Sequence, residues 1–419
     1  KRKFFYWLTI SNFLYIIILL ILAGIAIASL TGDNGLITRA READSKTKDS
    51  EFHEQIKLEI LASLDDNGNF NLNTFKKNLQ NDYPESTIVE VANENNILIT
   101  YQNYTLVIGL TGIATEIYIP KNFYYVGGNM NTGIVISDNE LDEGKGSSHE
   151  VSQILVGNQF VWIPVNCTIN GKKIKLERIN YALDYYTDSW AKNYTNYTNI
   201  IEYLSQSTWN VSSISDLWNK LAEDEKELTG FKTSVEKYNG FYIGRYEASY
   251  NNGIVSTTKS SKVRTDSSVP IENGMLWNFI SQTDAMIKCN LMYSTNNEIK
   301  CELVNSYAWD TTLNFIRIAE NKDVSVDSKD FGNYYNDRFS GNNGLVNTGN
   351  YEETKVYNIY DMAGNLWEWT TESYNNVNGI TRGGNCTHNG SRSPAGSRNN
   401  PVPSYTNGGT GFRPILFID

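Results

Sequence analysis

Residues 4–30 contain no charged side chain, and this stretch limits what the N-terminal part of the chain can form. A helix of this length, at about 1.5 Å rise per residue, would reach roughly 40 Å and so exceed the roughly 30 Å hydrocarbon core of a bilayer. Lys1, Arg2 and Lys3 precede the stretch and Asp33 follows it. Because positive charge is retained on the cytoplasmic side, the sequence predicts a single-pass anchor with the rest of the chain outside the cell.

A cleavable signal peptide is the alternative for the same stretch. Its apolar part would be shorter and would end in a small-residue cleavage site, which residues 26–28 (AIA) resemble. The sequence leaves this alternative open, although the length of the uncharged stretch favours a membrane span.

Residues 20–37 (LILAGIAIASLTGDNGLI) resemble the N-terminal helix of type IV pilin-like proteins from Gram-positive bacteria. The resemblance implies a bacterial cell membrane, an apolar helix that continues into an amphipathic one, and a pilus-like assembly. Apolar residues do recur at four-residue spacing further on, at Phe52, Ile56, Ile60 and Leu64. The sequence departs from the prepilin pattern, because Lys3 stands where a Gly precedes the cut and Leu8 stands where a Glu is usual.

The length of 419 residues predicts more than one domain, because single cores stop growing well below this size. We expect an anchor at residues 1–31, an amphipathic helix with a small pilin-like α/β unit at residues 32–119, and a large domain at residues 120–419. The chain has 36 Lys and Arg against 47 Asp and Glu, a formal net charge of -11. This balance disfavours nucleic acid as a partner.

The cysteines and histidines do not have the spacing of a zinc site. The four cysteines include no CxxC pair, and the three histidines lie far apart in the sequence. Cys289 and Cys301 are close enough in sequence to form a disulfide across neighbouring elements, but four free thiols remain the alternative.

Two parts of the chain after the anchor differ in their pattern. In the first part, the sequence predicts a helix at residues 73–81 and strands at residues 86–92, 96–101 and 104–108. From residue 123 onward, short apolar runs are broken by turn residues, which is typical of a loop-rich α+β domain. Apolar residues at helical spacing predict two helices in this domain, at residues 272–292 and 306–319.

Several runs in this second part resemble formylglycine-generating, or sulfatase-modifying factor, domains. In chain order they are FVWIPV at 160–165, GFYIGRYEA at 240–248, ISQTDA at 280–285, AWD at 308–310, NIYDMAGNLWEWT at 358–370, TRGG at 381–384 and GFRP at 411–414. The run at 358–370 is the most specific of them. The resemblance covers residues 123–419 and implies a large C-type-lectin-like fold with little regular secondary structure.

That family often binds calcium at the run 358–370. Hard oxygen ligands suit this ion, and the run offers side chains and backbone carbonyls of that type. The candidate calcium ligands are Asp361, Gly364, Asn365, Leu366 and Glu368. The alternative is that Asp361 and Asn365 cap turns and that Glu368 pairs with Arg382 or Arg413.

The oxidase activity of the family is associated with copper and a pair of cysteines after the Arg-Gly-Gly run. Soft thiolates select Cu(I), and hydroxyl groups do not replace them. Here Cys386 lies too early in residues 383–393, and no second cysteine follows. We therefore expect no copper and no oxidase activity, and Cys386 with His388 is a weak candidate for a nucleophile and base.

Residues 375–407 are rich in Asn, Ser, Thr, Gly and Arg, which make adaptable contacts at a surface. In lectin-like relatives, the equivalent segment is the exposed face that contacts ligands. The predicted ligand-binding residues are Asn385, Thr387, His388, Asn389, Arg392, Arg398, Asn399 and Tyr405. The sequence thus predicts a surface-anchored recognition or adhesion protein that binds a glycan, a peptide or a neighbouring cell. A divergent oxidase or other enzyme on the same fold, and a minor pilin subunit, are the alternatives.

Overall fold

The structure is a computed structural model, and the chain divides into two compact units, residues 1–86 and 87–419. The predicted membrane span at residues 4–30 lies outside the described part. Among the helices of the described ranges, none is both long enough and apolar enough to cross a bilayer. The structure describes residues 36–67, 69–91, 94–102, 104–109, 115–140, 157–179, 205, 209–321, 323–335 and 344–419.

The described residues of the first unit form two helices, α1 (Leu36–Ala62) and α2 (Leu72–Asp82). The predicted apolar stripe of α1 is buried at Phe52, Ile56 and Ile60, and α2 buries Phe75 and Leu79. Burial of one face of each helix stabilises such a small unit, because helices of this length are marginal without tertiary packing. The helix predicted at residues 73–81 is confirmed.

The second unit consists of many short strands. In chain order they are β1 (Thr87–Val91), β2 (Asn96–Tyr101), β3 (Tyr104–Gly109), β4 (Thr115–Ile119), β5 (Tyr124–Gly127), β6 (Val135–Ser137), β7 (Gln159–Pro164), β8 (Thr168–Ile169), β9 (Lys172–Lys173), β10 (Leu221–Ala222), β11 (Gly240–Gly244), β12 (Ser249–Asn251), β13 (Ile254–Ser256), β14 (Ile299–Leu303), β15 (Lys355–Val356), β16 (Ile359–Tyr360), β17 (Trp367–Tyr374), β18 (Asn378–Arg382), β19 (Arg398–Asn399), β20 (Thr410–Phe412) and β21 (Pro414–Ile418). The first four form an antiparallel sheet in sequence order, which confirms the three strands predicted in this region.

The helices in the described residues of this unit are α3 (Ile214–Lys220), α4 (Glu225–Tyr238), α5 (Gln282–Leu291) and α6 (Ser306–Ala319), with a 3-10 turn at Glu352–Thr354. The helix predicted at residues 306–319 is confirmed with its bounds. The helix predicted at residues 272–292 is wrong in its first half, because α5 begins only after Ser281, whose hydroxyl accepts the Asp284 amide at 3.1 Å. The residues before it bond elsewhere, for example the Trp277 amide to the Ala248 carbonyl at 2.9 Å.

A six-stranded sheet in the order β14-β21-β11-β7-β6-β5 is buried on both faces. On β7, Val161 and Ile163 contact one apolar cluster that includes α4 and α6 residues, and Phe160 and Trp162 contact a second cluster on the other face. The second cluster also contains residues of β3, β4 and α5, so the four-stranded sheet shares its core with the strands that follow it. Burial on both faces explains why β7, β11 and β21 are continuous apolar runs and not alternating ones.

Candidate functional site

The predicted ligand-binding segment lies in two loops that belong to one small sheet. In this sheet β18 pairs with β17 and β19, and β20 runs parallel to β17. We call residues 383–397, which join β18 to β19, and residues 400–409, which join β19 to β20, the β18–β20 loops. Both ends of each loop are therefore fixed by strands of the same sheet.

Most of the predicted ligand-binding residues are exposed. The exposed ones are Thr387, His388, Asn389, Arg392, Asn399 and Tyr405. Asn385 and Arg398 differ from the expectation of an exposed face, because Asn385 is buried and the Arg398 side chain is only 6% exposed.

Asn385 is buried because it organises the turn that presents its neighbours. Its Nδ2 donates to the Gly409 carbonyl at 3.2 Å, which joins the two β18–β20 loops. Its Oδ1 accepts the backbone amide of Thr387 at 3.0 Å and the Thr387 hydroxyl at 2.9 Å. Asn385 therefore acts inside the loop, where its side chain replaces backbone hydrogen bonds of the turn.

His388 has a defined orientation at the surface. Its ring packs edge-on against Trp367 with centroids 5.6 Å apart, and its Nδ1 lies 2.5 Å from Oδ1 of Asn385. Partial burial lowers the pKa of His388, which favours the neutral form of the ring. Since Nδ1 faces an acceptor, it carries the proton, and Nε2 is left as a hydrogen-bond acceptor.

Arg398 is held inward by two buried carboxylates. Its Nε donates to Glu372 at 2.7 Å, its Nη2 to Asp310 at 2.7 Å, and its Nη1 to the Ile179 carbonyl at 2.9 Å. Although burial opposes its charge, Asp310 and Glu372 raise the pKa of Arg398. The Arg398 guanidinium therefore supports the β18–β20 loops from inside through these contacts.

Asp310 also binds Arg382, and Arg382 supports the inner side of the loop at residues 383–397. Arg382 Nη2 donates to Asp310 at 2.5 Å, and its Nε donates to the Ser397 carbonyl at 3.0 Å. Trp309 Nε1 donates to the Ala395 carbonyl at 2.9 Å. Residues 393–397 are buried by these contacts, whereas residues 387–389 and 392 remain exposed.

Glu223 adjoins this network and predicts a pH dependence of stability. It accepts the Ser306 amide at 2.7 Å and the Thr371 hydroxyl at 2.6 Å, and burial together with the charge of Glu372 raises its pKa from 4.5 to about 7. The folded chain keeps this proton up to about pH 7, whereas the unfolded chain releases it near 4.5. The stabilisation is therefore fully present below about pH 4.5 and is lost as the pH rises through about 7.

We expect Glu223→Gln to remove this dependence. One pKa unit corresponds to about 1.4 kcal/mol, so the native chain should lose up to about 3 kcal/mol of stability between pH 4.5 and 8 that the variant keeps. Urea unfolding of both proteins across this range measures the difference. Parallel pH profiles for the two proteins would contradict the assignment.

Cys386 is not positioned as a nucleophile. It is 4% exposed, and burial followed by the charge of Glu247 raises its pKa to about 11. Because the thiolate is the reactive form, a thiol of this kind is inert at neutral pH. The His388 ring meanwhile faces Asn385, so the pairing of Cys386 with His388 as nucleophile and base gains no support from the geometry.

Thiol labelling tests this conclusion. All four cysteines are free, and Cys289, Cys301 and Cys386 are buried. Relative to an ordinary thiol of pKa about 8.5, the Cys386 thiolate population at pH 7.5 should be lower by roughly 300-fold. We expect iodoacetamide to modify Cys386 in the native chain at least that much more slowly than in the urea-unfolded chain. Rapid native labelling of Cys386 would contradict its buried, protonated state.

The predicted calcium ligands lie in a buried cluster of charges. Glu368 accepts two hydrogen bonds from Arg413, from Nη2 at 2.7 Å and from Nε at 3.0 Å. This confirms the alternative in which Glu368 pairs with Arg413. Asp361 Oδ2 accepts the Gly349 amide at 2.7 Å, and Asn365 Oδ1 accepts the Val346 amide at 3.1 Å.

These hydrogen bonds engage side-chain oxygens of three candidate calcium ligands, Asp361, Asn365 and Glu368. The structure describes all the candidate calcium ligands. Among their side-chain oxygens, only Asp361 Oδ1 is buried without a hydrogen-bond partner. Within the described ranges, no group of three or more histidine, cysteine, aspartate or glutamate side chains is arranged to hold a metal ion. Calcium at Asp361, Gly364, Asn365, Leu366 and Glu368 stays a prediction.

Sequence reasoning missed Glu247, which is central to this cluster. Its carboxylate accepts the Asn365 side-chain amide at 2.6 Å and the Leu366 backbone amide at 3.0 Å. Burial, and then the charges of Asp361 and Glu368, raise the pKa of Glu247 well above its ordinary value. The available signal was an acidic residue in the run 240–248, three residues after the end of the apolar strand β11.

The fold is mixed α/β, with short strands and long loops around this charged interior. Residues 293–417 match the family model described as the sulfatase-modifying factor enzyme 1-like domain. The chain thus contains an FGE-sulfatase-like domain, in agreement with the resemblance of the runs between residues 308 and 414. The runs at 160–165, 240–248 and 280–285 precede the matched residues. No curated protein matches the chain.

Solved structures show remote likeness only. The chain is similar to CarF at 16% identity, with 43% of this chain and 87% of that chain covered and a TM-score of 0.34. It is similar to PvdO from Pseudomonas aeruginosa at 14% identity, with 43% and 81% covered and a TM-score of 0.31. Treponema denticola variable protein 1 is 13% identical over 42% of this chain and 95% of that chain, with a TM-score of 0.26. Scores at this level support no inference about function.

Proposed function

We propose that the chain is a cell-surface recognition protein whose β18–β20 loops bind a glycan, a peptide or the surface of a neighbouring cell. The observation that carries this proposal is the contrast within the loops. Thr387, Asn389, Arg392 and Tyr405 are exposed, whereas the residues beneath them are fixed by buried hydrogen bonds and ion pairs. Binding sites are typically formed by exposed side chains on a rigid scaffold of this kind.

The chemistry of the exposed residues suits binding by hydrogen bonds and stacking. Asn389 and Thr387 offer donors and acceptors, Arg392 adds a planar cation, and Tyr405 presents an aromatic surface that is 43% exposed. The neutral His388 adds an acceptor at Nε2. A thiol reaction at the same place is disfavoured, since Cys386 is buried with a raised pKa.

The proposal places the protein in a bacterial cell membrane through residues 4–30, with the loops outside the cell. Its support is the uncharged stretch, with Lys1, Arg2 and Lys3 before it and Asp33 after it. Protease treatment of intact cells tests this topology: external protease should cleave the chain in the domain, and protection until the cells are lysed would contradict it.

A binding screen tests the function. The full chain in detergent micelles is applied to glycan and peptide arrays and to extracts of bacterial and host surfaces. We expect at least one ligand class that binds saturably and competes with itself in free form. A folded chain that binds none of these ligands would contradict the proposal.

A further inference from the structure

The second of the β18–β20 loops, at residues 400–409, contains an Asn-Gly pair at Asn407 and Gly408. Asn407 is exposed and Gly408 is partly exposed. The Asn407 Oδ1 accepts the Gly409 amide at 2.7 Å. This hydrogen bond folds the side chain back over the following peptide, so the side-chain carbon Cγ lies beside the Gly408 nitrogen.

The Gly408 nitrogen and the Asn407 side-chain amide are both available for reaction. Among the described residues, neither the Gly408 N–H nor Asn407 Nδ2 has a hydrogen-bond partner. Gly408 has no Cβ, so its backbone can turn toward Cγ. The Asn407 backbone carbonyl accepts the amides of Phe279 and Thr410, each at 3.2 Å, and these bonds hold the turn in place. A fixed approach of two reacting groups favours ring closure between them.

The Gly409 amide has a second effect, because it donates to the oxygen on which charge would develop. When a nitrogen attacks Cγ of Asn407, Oδ1 becomes an oxyanion, and a backbone donor at 2.7 Å stabilises that charge. The turn therefore combines a free nitrogen, an adjacent carbonyl carbon and a donor for the oxyanion.

Two other Asn-Gly pairs have the same chemistry but a different backbone environment. The glycine amide of the pair at residues 273–274 donates to the Tyr250 carbonyl at 2.8 Å. The glycine amide of the pair at residues 378–379 donates to the Pro401 carbonyl at 2.9 Å. Each of these amides must lose a hydrogen bond before its nitrogen can react, so the two pairs are internal references for Asn407.

We propose that Asn407 is a modification site, at which the backbone of the chain itself converts asparagine into aspartate and isoaspartate with water as the only co-reactant. The Gly408 nitrogen bonds to Cγ, the bond from Cγ to Nδ2 breaks, and ammonia leaves with the proton of the Gly408 amide. Water then opens the resulting succinimide ring. Cleavage between Cγ and the Gly408 nitrogen gives aspartate, and cleavage between the backbone carbonyl carbon and that nitrogen gives isoaspartate. Nothing is oxidised or reduced, and the net change replaces an amide by a carboxylate and releases ammonium.

The conversion changes the β18–β20 loops in charge and, for isoaspartate, in length. A negative charge appears two residues after the exposed Tyr405. Isoaspartate also adds one carbon to the main chain ahead of Gly409, whose carbonyl accepts Asn385 Nδ2 at 3.2 Å and so joins the two loops. An effect on ligand binding rests on the proposed recognition function, whereas the conversion itself does not.

Peptide mass mapping of the full chain in detergent micelles at pH 7.5 tests the proposal, with the urea-unfolded chain in parallel. Conversion is read as the mass gain when NH2 is replaced by OH, and chromatography separates the aspartate and isoaspartate peptides. In the folded chain, Asn407 should convert roughly 10-fold faster than Asn273 and Asn378, because only its glycine amide is free. In the unfolded chain the three rates should agree. Equal rates in the folded chain, or no conversion of Asn407, would overturn the assignment.

Gly408→Ala tests the route through the Gly408 nitrogen. The three atoms nearest to the added Cβ belong to the end of the Phe279 ring, with Cζ at 2.9 Å, so a small shift of that ring accommodates it. The methyl group restricts the turn of the backbone toward Cγ, and conversion of Asn407 should slow roughly 10-fold while that of Asn273 stays unchanged. An unchanged Asn407 rate in the folded variant would contradict this route. If the variant fails to fold, the comparison of the three pairs in the native chain still decides.

The conversion assay and the ligand arrays fail separately. Conversion of Asn407 in a folded chain that binds no ligand would support the modification site and contradict only the recognition function. Saturable ligand binding by a chain whose Asn407 stays intact through prolonged incubation would overturn the modification site alone.

Discussion

Replacing Arg413 by methionine is expected to destabilise the second unit by about 3–5 kcal/mol, the cost of leaving a buried charge without its partner. Arg413 donates twice to Glu368 and, through Nη1, to the Gly244 carbonyl at 2.9 Å. Methionine fills similar space but leaves Glu368 buried and unpaired, close to the further carboxylates Glu247 and Asp361. Urea unfolding followed by tryptophan fluorescence measures the shift in midpoint.

Lys300→Met is the matched control for Arg413. Lys300 also forms an ion pair, with Asp419 at 2.7 Å, but the two side chains are 49% and 44% exposed. Exposed pairs of this kind contribute about 0–1 kcal/mol. Equal, small effects of the two substitutions would show that the Arg413 cluster does not stabilise the fold.

Asp310→Asn is expected to have a second large effect, because one carboxylate serves both Arg382 and Arg398. The amide oxygen can replace only part of these contacts, and two buried guanidinium groups then share Glu372 as their nearest buried carboxylate. We expect a loss of about 3 kcal/mol or more. Arg382 also fixes the Ser397 carbonyl, so limited proteolysis should become faster within residues 383–397.

The control for Asp310 is Asp419→Asn, which changes an exposed carboxylate in the same way. It should leave both the unfolding midpoint and the proteolysis pattern unchanged. An Asp310→Asn protein with native stability and a protected loop would contradict the role assigned to the buried ion pairs.

Local patterns in the sequence predicted much of the framework. The stripe Phe52, Ile56 and Ile60 is buried as expected, and α6 begins and ends at the predicted residues, because helical spacing is a local signal. The first half of the helix predicted at residues 272–292 failed, since strand-like pairing of Trp277 with Ala248 overrides its apolar spacing.

The inward position of Arg398 was not predictable from its neighbours in sequence. Its partner Asp310 lies 88 residues earlier, and only the fold brings them together. Asn385 was expected to be exposed because the composition of the surrounding segment is typical of a surface. Its contact with Gly409 depends on how the two β18–β20 loops meet, which the sequence does not show. In contrast, the absence of a second cysteine after the Arg-Gly-Gly run was visible in the sequence. The burial of Cys386 became visible only in the fold.

The most direct test of the recognition function compares two variants on the ligand that the arrays identify. The test variant combines Asn389→Ala, Arg392→Ala and Tyr405→Ala in one protein. The control is Tyr124→Ala, because Tyr124 on β5 is 38% exposed and Tyr405 is 43% exposed. The account predicts that the combined variant keeps the native unfolding midpoint and loses at least 10-fold in affinity, while Tyr124→Ala binds as the native chain does. Unchanged affinity in the folded combined variant would contradict it.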